Sequence, residues 1–235
     1  MKGVEILCDP SPFEPSVGEL LSELSRVNFF ESGLLVGSWP MVVYAQEYGL
    51  IYGLRTGDID FAVVRTAHKS EGAPLPDLLS RLGYEPLKDY TTGLEKYVLD
   101  TFEVEFLMHR KGGRSPGSVE LPTWKIAAQP LPFIDILFMT PVTVRTREYS
   151  FKIPSPEALM VHKLIIAQRR TGVSKDEKKE KDLQQCKVLS EIVSSEKVEQ
   201  VLREKRMSRE VRKNISQSCT EAGLDMTSLG LFWTQ

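Results

Sequence analysis

Apolar residues recur along this chain at two different spacings, and the change from one to the other organises it. Val17, Leu20, Leu21, Leu24 and Val27 repeat at three and four, which predicts an amphipathic helix with Ser16 as N-cap and Glu19 completing a capping box. Residues 1–15, interrupted by Pro10, Pro12 and Pro15, read as an irregular arm. Gly33 stops the helical segment, and residues 34–36 form a short strand that delivers Gly37-Ser38. A helix is expected over Pro40–Tyr48, with proline suited to its first turn. After an apolar excursion at residues 50–52, Gly53 and Gly57 bracket a turn, and Asp58-Ile59-Asp60 leads into the apolar run 61–64 as a strand.

Further on, a polar connection over 65–76 precedes a short helix at 76–82 that ends on Gly83. Residues Glu95–Leu99 and 102–108 read as a hairpin turning at Asp100-Thr101. Its second strand places Phe102, Val104 and Phe106 on one face and Glu103 and Glu105 on the other. Residues 115–132, rich in proline, read as a long loop with Trp124 tucked in, and periodicity leaves 133–139 open between strand and buried helix. A second hairpin follows at 142–145 and 149–153.

Pro154 and Pro156 then end the sheet region. Ser155 is an apt N-cap, Pro156 an apt first residue and Glu157 a favourable early acid for a helix running to about 170. The charged stretch 173–182 reads as a solvated helix start or a loop, and Lys181-Asp182-Leu183 opens another amphipathic helix. Two more helices are expected over 196–205 and 208–222, with Gly223 as a stop. The apolar tail, Leu229, Leu231, Phe232 and Trp233, should pack on the body or on a partner. The expected organisation is a sheet-bearing part over 1–153 and a helical part over 154–235.

Composition narrows the class of protein. At 235 residues the chain is long enough to bury a substantial core. A net charge of −2 excludes a globally basic nucleic-acid coat, though not a local basic patch. Three distant cysteines, Cys8, Cys186 and Cys219, fit neither a disulfide framework nor a zinc site, which points to a reducing cytoplasm. No apolar run reaches membrane-spanning length.

Candidate chemistry concentrates between residues 34 and 64. Side chains alternate along a strand, so Asp58 and Asp60 point the same way. Paired carboxylates repel unless positive charge stands between them, and hard oxygen ligands favour Mg2+ or Mn2+. A strand ending on Gly37-Ser38 before a helix offers free N–H groups and a hydroxyl to a phosphate. His68 and His109 have no partners at metal-ligand spacing. His162, flanked by apolar residues, reads as a partly buried histidine rather than a catalytic base. The basic run from His109 to Arg114 suits either a solvated loop or a phosphate contact.

Gly37-Ser38 followed by Asp58-Ile59-Asp60 resembles the signature of the DNA polymerase beta-like nucleotidyltransferase superfamily. Stretches 153–157, 162–164, 168–170 and 181–183 resemble one bacterial branch with a helical C-terminal part. The similarity covers roughly residues 30–190. It implies an α+β fold, a mixed β-sheet flanked by helices and followed by an α-helical C-terminal domain. It also implies a third carboxylate on a later strand. Val104-Glu105-Phe106-Leu107 matches the family there, so Glu105 is favoured over Glu103, although a solvated strand face stays open.

The implied activity moves a nucleoside monophosphate from a nucleoside triphosphate to an acceptor hydroxyl. Asp58, Asp60 and Glu105 would hold two ions roughly 3.5–4 Å apart. Gly37 and Ser38 would grip the outer phosphates. Lys163 and Arg169 would neutralise phosphate charge, or else pair with Glu157 or Asp182. Two other classes stay open: an inactive member of the fold that binds nucleic acid or a protein, and a toxin- or antitoxin-type module modifying transfer RNA or protein. The acceptor could be a small molecule, RNA or protein, and a homodimer is compatible with the apolar tail.

Overall fold

The computed structural model describes residues 4–53, 56–64, 74–91, 93–110 and 117–231. Within them the chain runs β1 (Glu5–Leu7), α1 (Pro15–Arg26), β2 (Gly33–Leu35), α2 (Pro40–Tyr48), β3 (Asp58–Val63), α3 (Leu75–Arg81), β4 (Glu85–Lys88), β5 (Glu95–Leu99) and β6 (Phe102–His109). It continues through β7 (Val119–Leu121), β8 (Ile126–Leu131), β9 (Pro141–Arg145), β10 (Ser150–Pro154), α4 (Pro156–Ala167), α5 (Lys175–Leu189), α6 (Ser195–Lys205) and α7 (Arg209–Ala222).

The main sheet is built around β6, its longest strand. On one side β6 runs parallel to β3, pairing Asp58 with Glu103 and Asp60 with Glu105. On the other side its first half pairs antiparallel with β5 and its second half parallel with β8. Strands β2 and β4 close the two edges of the order β2-β3-β6-β5-β4, and β7 pairs with β8. Three large rings of this sheet region, Phe29, Phe61 and Phe106, stack and cross edge to face within the core.

The expected hairpins and helices are present, and several boundaries moved. The N-terminal arm is not irregular throughout, because Glu5–Leu7 adds to β9 as a parallel strand of a second, three-stranded sheet, β1-β9-β10. Helix α1 starts at Pro15 with Glu14 as N-cap and no side-chain cap, so the Ser16 capping box does not form. The proline supplies the first helical φ one residue earlier. Residues 115–132 hold a hairpin wherever they are described. In β8 buried and half-buried positions alternate, and a proline within it masks that alternation in the sequence. Residues Ile134–Phe138 form a 3-10 turn, neither strand nor α-helix. Leu54 and Arg55, the connection at 65–73 that includes His68, the basic residues at 111–116, and Phe232 and Trp233 lie outside the described residues.

Helix α4 is the axis of the helical part. Ser155 caps it by accepting from the Ala158 amide at 3.2 Å, and eleven of its twelve residues are buried. It ends at Ala167 rather than near 170, and α5 starts at Lys175, six residues ahead of the expected Lys181. Helices α5, α6 and α7 all pack on α4. The same buried cluster includes side chains of both sheets and of these four helices. Tyr44 of α2 donates to the Pro154 carbonyl, which ties α2 to the start of α4. No helix among the described residues is long and apolar enough to cross a membrane.

Candidate active site

Where the edge of the main sheet meets α4 and α5, a cleft of about 380 Å³ opens. Gly37, Ser38, Asp58, Asp60, Glu105, Lys163 and Arg169 all line it, so residues spread over more than 130 positions converge on one space.

The Gly37-Ser38 corner is shaped by backbone. The Val36 amide donates to the Asp60 carbonyl at 2.8 Å, which holds the end of β2 against β3. Gly37 then takes φ of +69°, and a Cβ there would collide with the Asp60 carboxylate. Both features demand glycine. Among the described residues the amides of Gly37, Ser38 and Trp39 find no acceptor, whereas those of Met41 and Val42 turn back onto the carbonyls of Ser38 and Trp39. Three successive free amides ahead of a helix make a concave site for an anion. Gly37→Ala should cost about 1–2 kcal/mol from the left-handed backbone alone, with a further loss because Asp60 must move; urea unfolding measures it.

The acidic strand is pinned at its start. Trp39 donates through Nε1 to the Asp58 carbonyl at 2.9 Å, and the Asp58 amide donates to Thr56 Oγ1 at 3.2 Å. Asp58 and Asp60 share a face of β3, as strand alternation requires. Asp60 sits directly opposite Glu105 across the parallel pair. Burial first, then the charges of Glu105 and Asp58, push the Asp60 carboxyl up to about 6, against a smaller pull from Lys163 and Lys181. Glu105 lines the cleft and Glu103 does not, although the two share a face.

One cation already occupies this acidic group. Lys96 on β5 stands opposite Glu105, and its ammonium pairs with Glu105 and with Glu103 Oε2, the latter at 2.9 Å. Among the described residues no three carboxylate, imidazole or thiol groups are placed to hold an ion by themselves. Lys96 carries no signature in composition, but the Asp100-Thr101 turn sets its register. A two-residue loop makes Lys96 face Glu105.

The helical wall is cationic. Lys163 is buried and pairs with Asp182 at 3.2 Å, and Arg170 grips the other oxygen of Asp182 at 2.6 Å. Arg169 pairs with Glu210 at 2.8 Å and lies over the Phe133 ring. Lys181 lines the same cleft, and no ion pair engages it among the described residues. Its ammonium is pushed down by burial and by Lys163, while Asp58, Asp182 and Asp60 pull it up. Lys178, Lys181, Asp182 and Gln185 fall at i, i+3, i+4 and i+7, one helical face within a densely charged stretch whose composition suggests only a solvated surface.

Gln185 crosses from α5 to the sheet. Its Nε2 donates to Ser38 Oγ at 3.0 Å and to Tyr52 Oη at 2.6 Å, which couples the phosphate-type corner to the helical wall. His162 is buried on the cleft side of α4, and burial pushes its imidazole down to about 3. It therefore stays neutral, and its Nε2 has no hydrogen-bond partner among the described residues. His109 pairs instead with Asp135 at 3.1 Å. The remaining wall of the cleft is mostly aliphatic, with Leu107, Leu131, Ile134, Leu137, Leu159 and Ile166 beside polar Gln129 and Thr171.

A family model described as nucleotidyltransferase matches residues 15–210. No curated protein gives a significant match to the sequence. Among solved structures, an antigenic nucleotidyltransferase-like protein from Paracoccidioides brasiliensis is 14% identical, with 90% of each chain covered and a TM-score of 0.47. A tRNA-processing enzyme in an apo form is 12% identical over 95% of this chain and 61% of its own, with a TM-score of 0.30. A CCA-adding enzyme in complex with ATP is 11% identical over 92% and 55%, with a TM-score of 0.32. Likenesses this distant specify no substrate.

Proposed function

The chain belongs to the nucleotidyltransferase family, and on that premise we propose that it transfers a nucleoside monophosphate from a nucleoside triphosphate to an acceptor hydroxyl, releasing pyrophosphate. One observation carries this reading: Asp58 and Asp60 line the same cleft as Gly37 and Ser38, whose amides find no acceptor among the described residues. An acidic pair next to an anion cradle suits a phosphorylated substrate that arrives with a cation.

Asp58 and Asp60 would hold Mg2+ or Mn2+, with Glu105 as the third carboxylate beside them. The donor set fits, since one or two carboxylates plus substrate phosphates are the usual ligands of Mg2+. The Asp60 carboxyl, raised first by burial and then by Glu105 and Asp58, is a group whose charged form a cation would favour. A divalent ion held there would supply charge to offset the phosphates and to lower the pKa of an acceptor hydroxyl. The protein's own groups do the rest. Gly37 and Ser38 grip the outer phosphates, with the Ser38 hydroxyl held in place by Gln185. Lys181 is the helical-wall cation most free to meet the triphosphate, and Lys163 and Arg169 supplement it from α4 and the residues just after it. Fixed donors and cations that need no rearrangement are what stabilises charge in such a transfer. The order of Gly37-Ser38 and Asp58-Ile59-Asp60 resembles the pattern of the polymerase beta-like branch and supports placing the chain there.

A second reading, a member of this fold that binds nucleic acid or a protein without chemistry, is favoured by the engagement of Glu105 with Lys96. Incubation with each α-labelled nucleoside triphosphate, Mg2+ or Mn2+, and fractions of RNA, protein and small molecules separates the two. Label passing to one acceptor class is the expected result. No incorporation from any triphosphate, together with a salt-dependent mobility shift on RNA, would overturn the transferase in favour of the binder.

A further inference from the structure

Asp60, Glu105 and Lys96 form one row across three neighbouring strands: β3 pairs Asp60 with Glu105, and β5 pairs Lys96 with the same Glu105. Strands lie about 4.8 Å apart, so all three side chains stand on one face within reach of their neighbours. The ammonium of Lys96 contacts both Glu105 and Glu103, and it lines the cleft. A lysine on its flexible stem is a compact point charge, the shape of charge a divalent ion would otherwise bring.

We propose that Lys96 is the built-in cation of this site, holding Glu105 so that the chain binds one divalent ion, at Asp58 and Asp60, where the row would otherwise admit a second. This rests on the nucleotidyl-transfer reading of the cleft. Two further features agree with it. No group of three acidic, imidazole or thiol side chains is placed to hold an ion among the described residues. Mg2+ is served by one or two carboxylates when phosphate oxygens complete its shell. Lys96 is then a positioning residue. It keeps Glu105 in place and neutralises it, without touching the transferred group.

The test counts ions directly. Full-length protein is titrated with Mn2+, alone and with a saturating non-hydrolysable nucleoside triphosphate, and read by electron paramagnetic resonance. The wild type should bind one ion per chain and show an uncoupled signal. Lys96→Met, close in shape but neutral, should bind two, and ions roughly 3.5–4 Å apart should show exchange coupling. Lys96→Arg, which keeps the charge, should return to one. Two coupled ions in the wild type overturn the assignment of Lys96 while leaving Asp58 and Asp60 as a cation site. A folded Lys96→Met that still binds a single ion overturns it equally. No bound ion under either condition sinks the cation reading of the cleft itself, and with it this proposal. The wild-type count decides even where the neutral variant fails to fold.

Discussion

Asp60→Asn should abolish label transfer and, in metal-free buffer, make the protein more stable than the wild type. The two effects have one cause. Asp60 is buried and faces Glu105 and Asp58, with only smaller pulls from Lys163 and Lys181 to offset them, and its carboxyl is pushed from the ordinary 3.8 up to about 6. Its folded form therefore holds a proton more tightly than the unfolded chain does. That contribution is fully present below about pH 3.8 and is lost as pH rises through about 6. At pH 7 an uncharged amide removes the cost of burying this charge and of its repulsion by Glu105 and Asp58, worth roughly 2–3 kcal/mol from a shift of this size.

Activity should fall in the same variant, because a cation ligand worth several kcal/mol of transition-state stabilisation is missing, a loss of about a thousandfold or more. The checks are thermal midpoints of both proteins in chelator from pH 4 to 8, and label transfer at pH 7.5 with Mg2+. The stability gap between variant and wild type should close toward pH 4. Saturating Mg2+ should stabilise the wild type and leave Asp60→Asn nearly unchanged. A variant less stable than the wild type at pH 7 without metal would show that Asp60 is not repelled by its neighbours.

The second large effect concerns Asp182, which sits under Lys163 and Arg170 with 1% of its side chain exposed. Asp182→Ala strands the Lys163 ammonium in a site where 4% of it meets solvent. Breaking a buried pair from one side costs about 3–5 kcal/mol, a large fraction of a domain's total stability. Urea unfolding at pH 7 should show that loss. The double variant Lys163→Met, Asp182→Leu should recover most of it, since two apolar residues of similar volume leave no buried charge unpaired. Arg170, about a third exposed, can turn to water. A double variant as unstable as the single one would mean that the loss reflects packing rather than charge. Transfer activity separates the roles further, because the double variant restores the fold but not the Lys163 charge.

Much of the architecture could be read from the chain before any coordinates. The helix over Pro40–Tyr48 and the hairpin of Glu95–Leu99 with the strand from Phe102 fall where proline, glycine and period-two alternation placed them. The cap at Ser155 was legible too, since a hydroxyl one residue before a helix has a local partner three residues on. Less legible were β1 and β8. A three-residue strand has no periodicity to detect, and β1 exists only because β9 offers it an edge. In β8 a proline within a buried-and-half-buried alternation made the segment look like a loop.

The cleft divides in the same way. By itself the sequence determined that Asp58 and Asp60 share a face, that Glu103 and Glu105 share another, and that a glycine-serine corner precedes them. Each of those statements depends on neighbours within a few residues, and strand geometry carries them. Only the tertiary structure decided which face meets which. It set Asp60 against Glu105 through a parallel pairing that spans 45 positions, brought Lys96 onto the outer glutamates, and turned Lys181 and Gln185 toward the corner. It also buried Lys163 against Asp182, where the sequence allowed either a phosphate contact or an ion pair. The physical reason is that long-range partners are chosen by strand order and helix packing, and no local period encodes those.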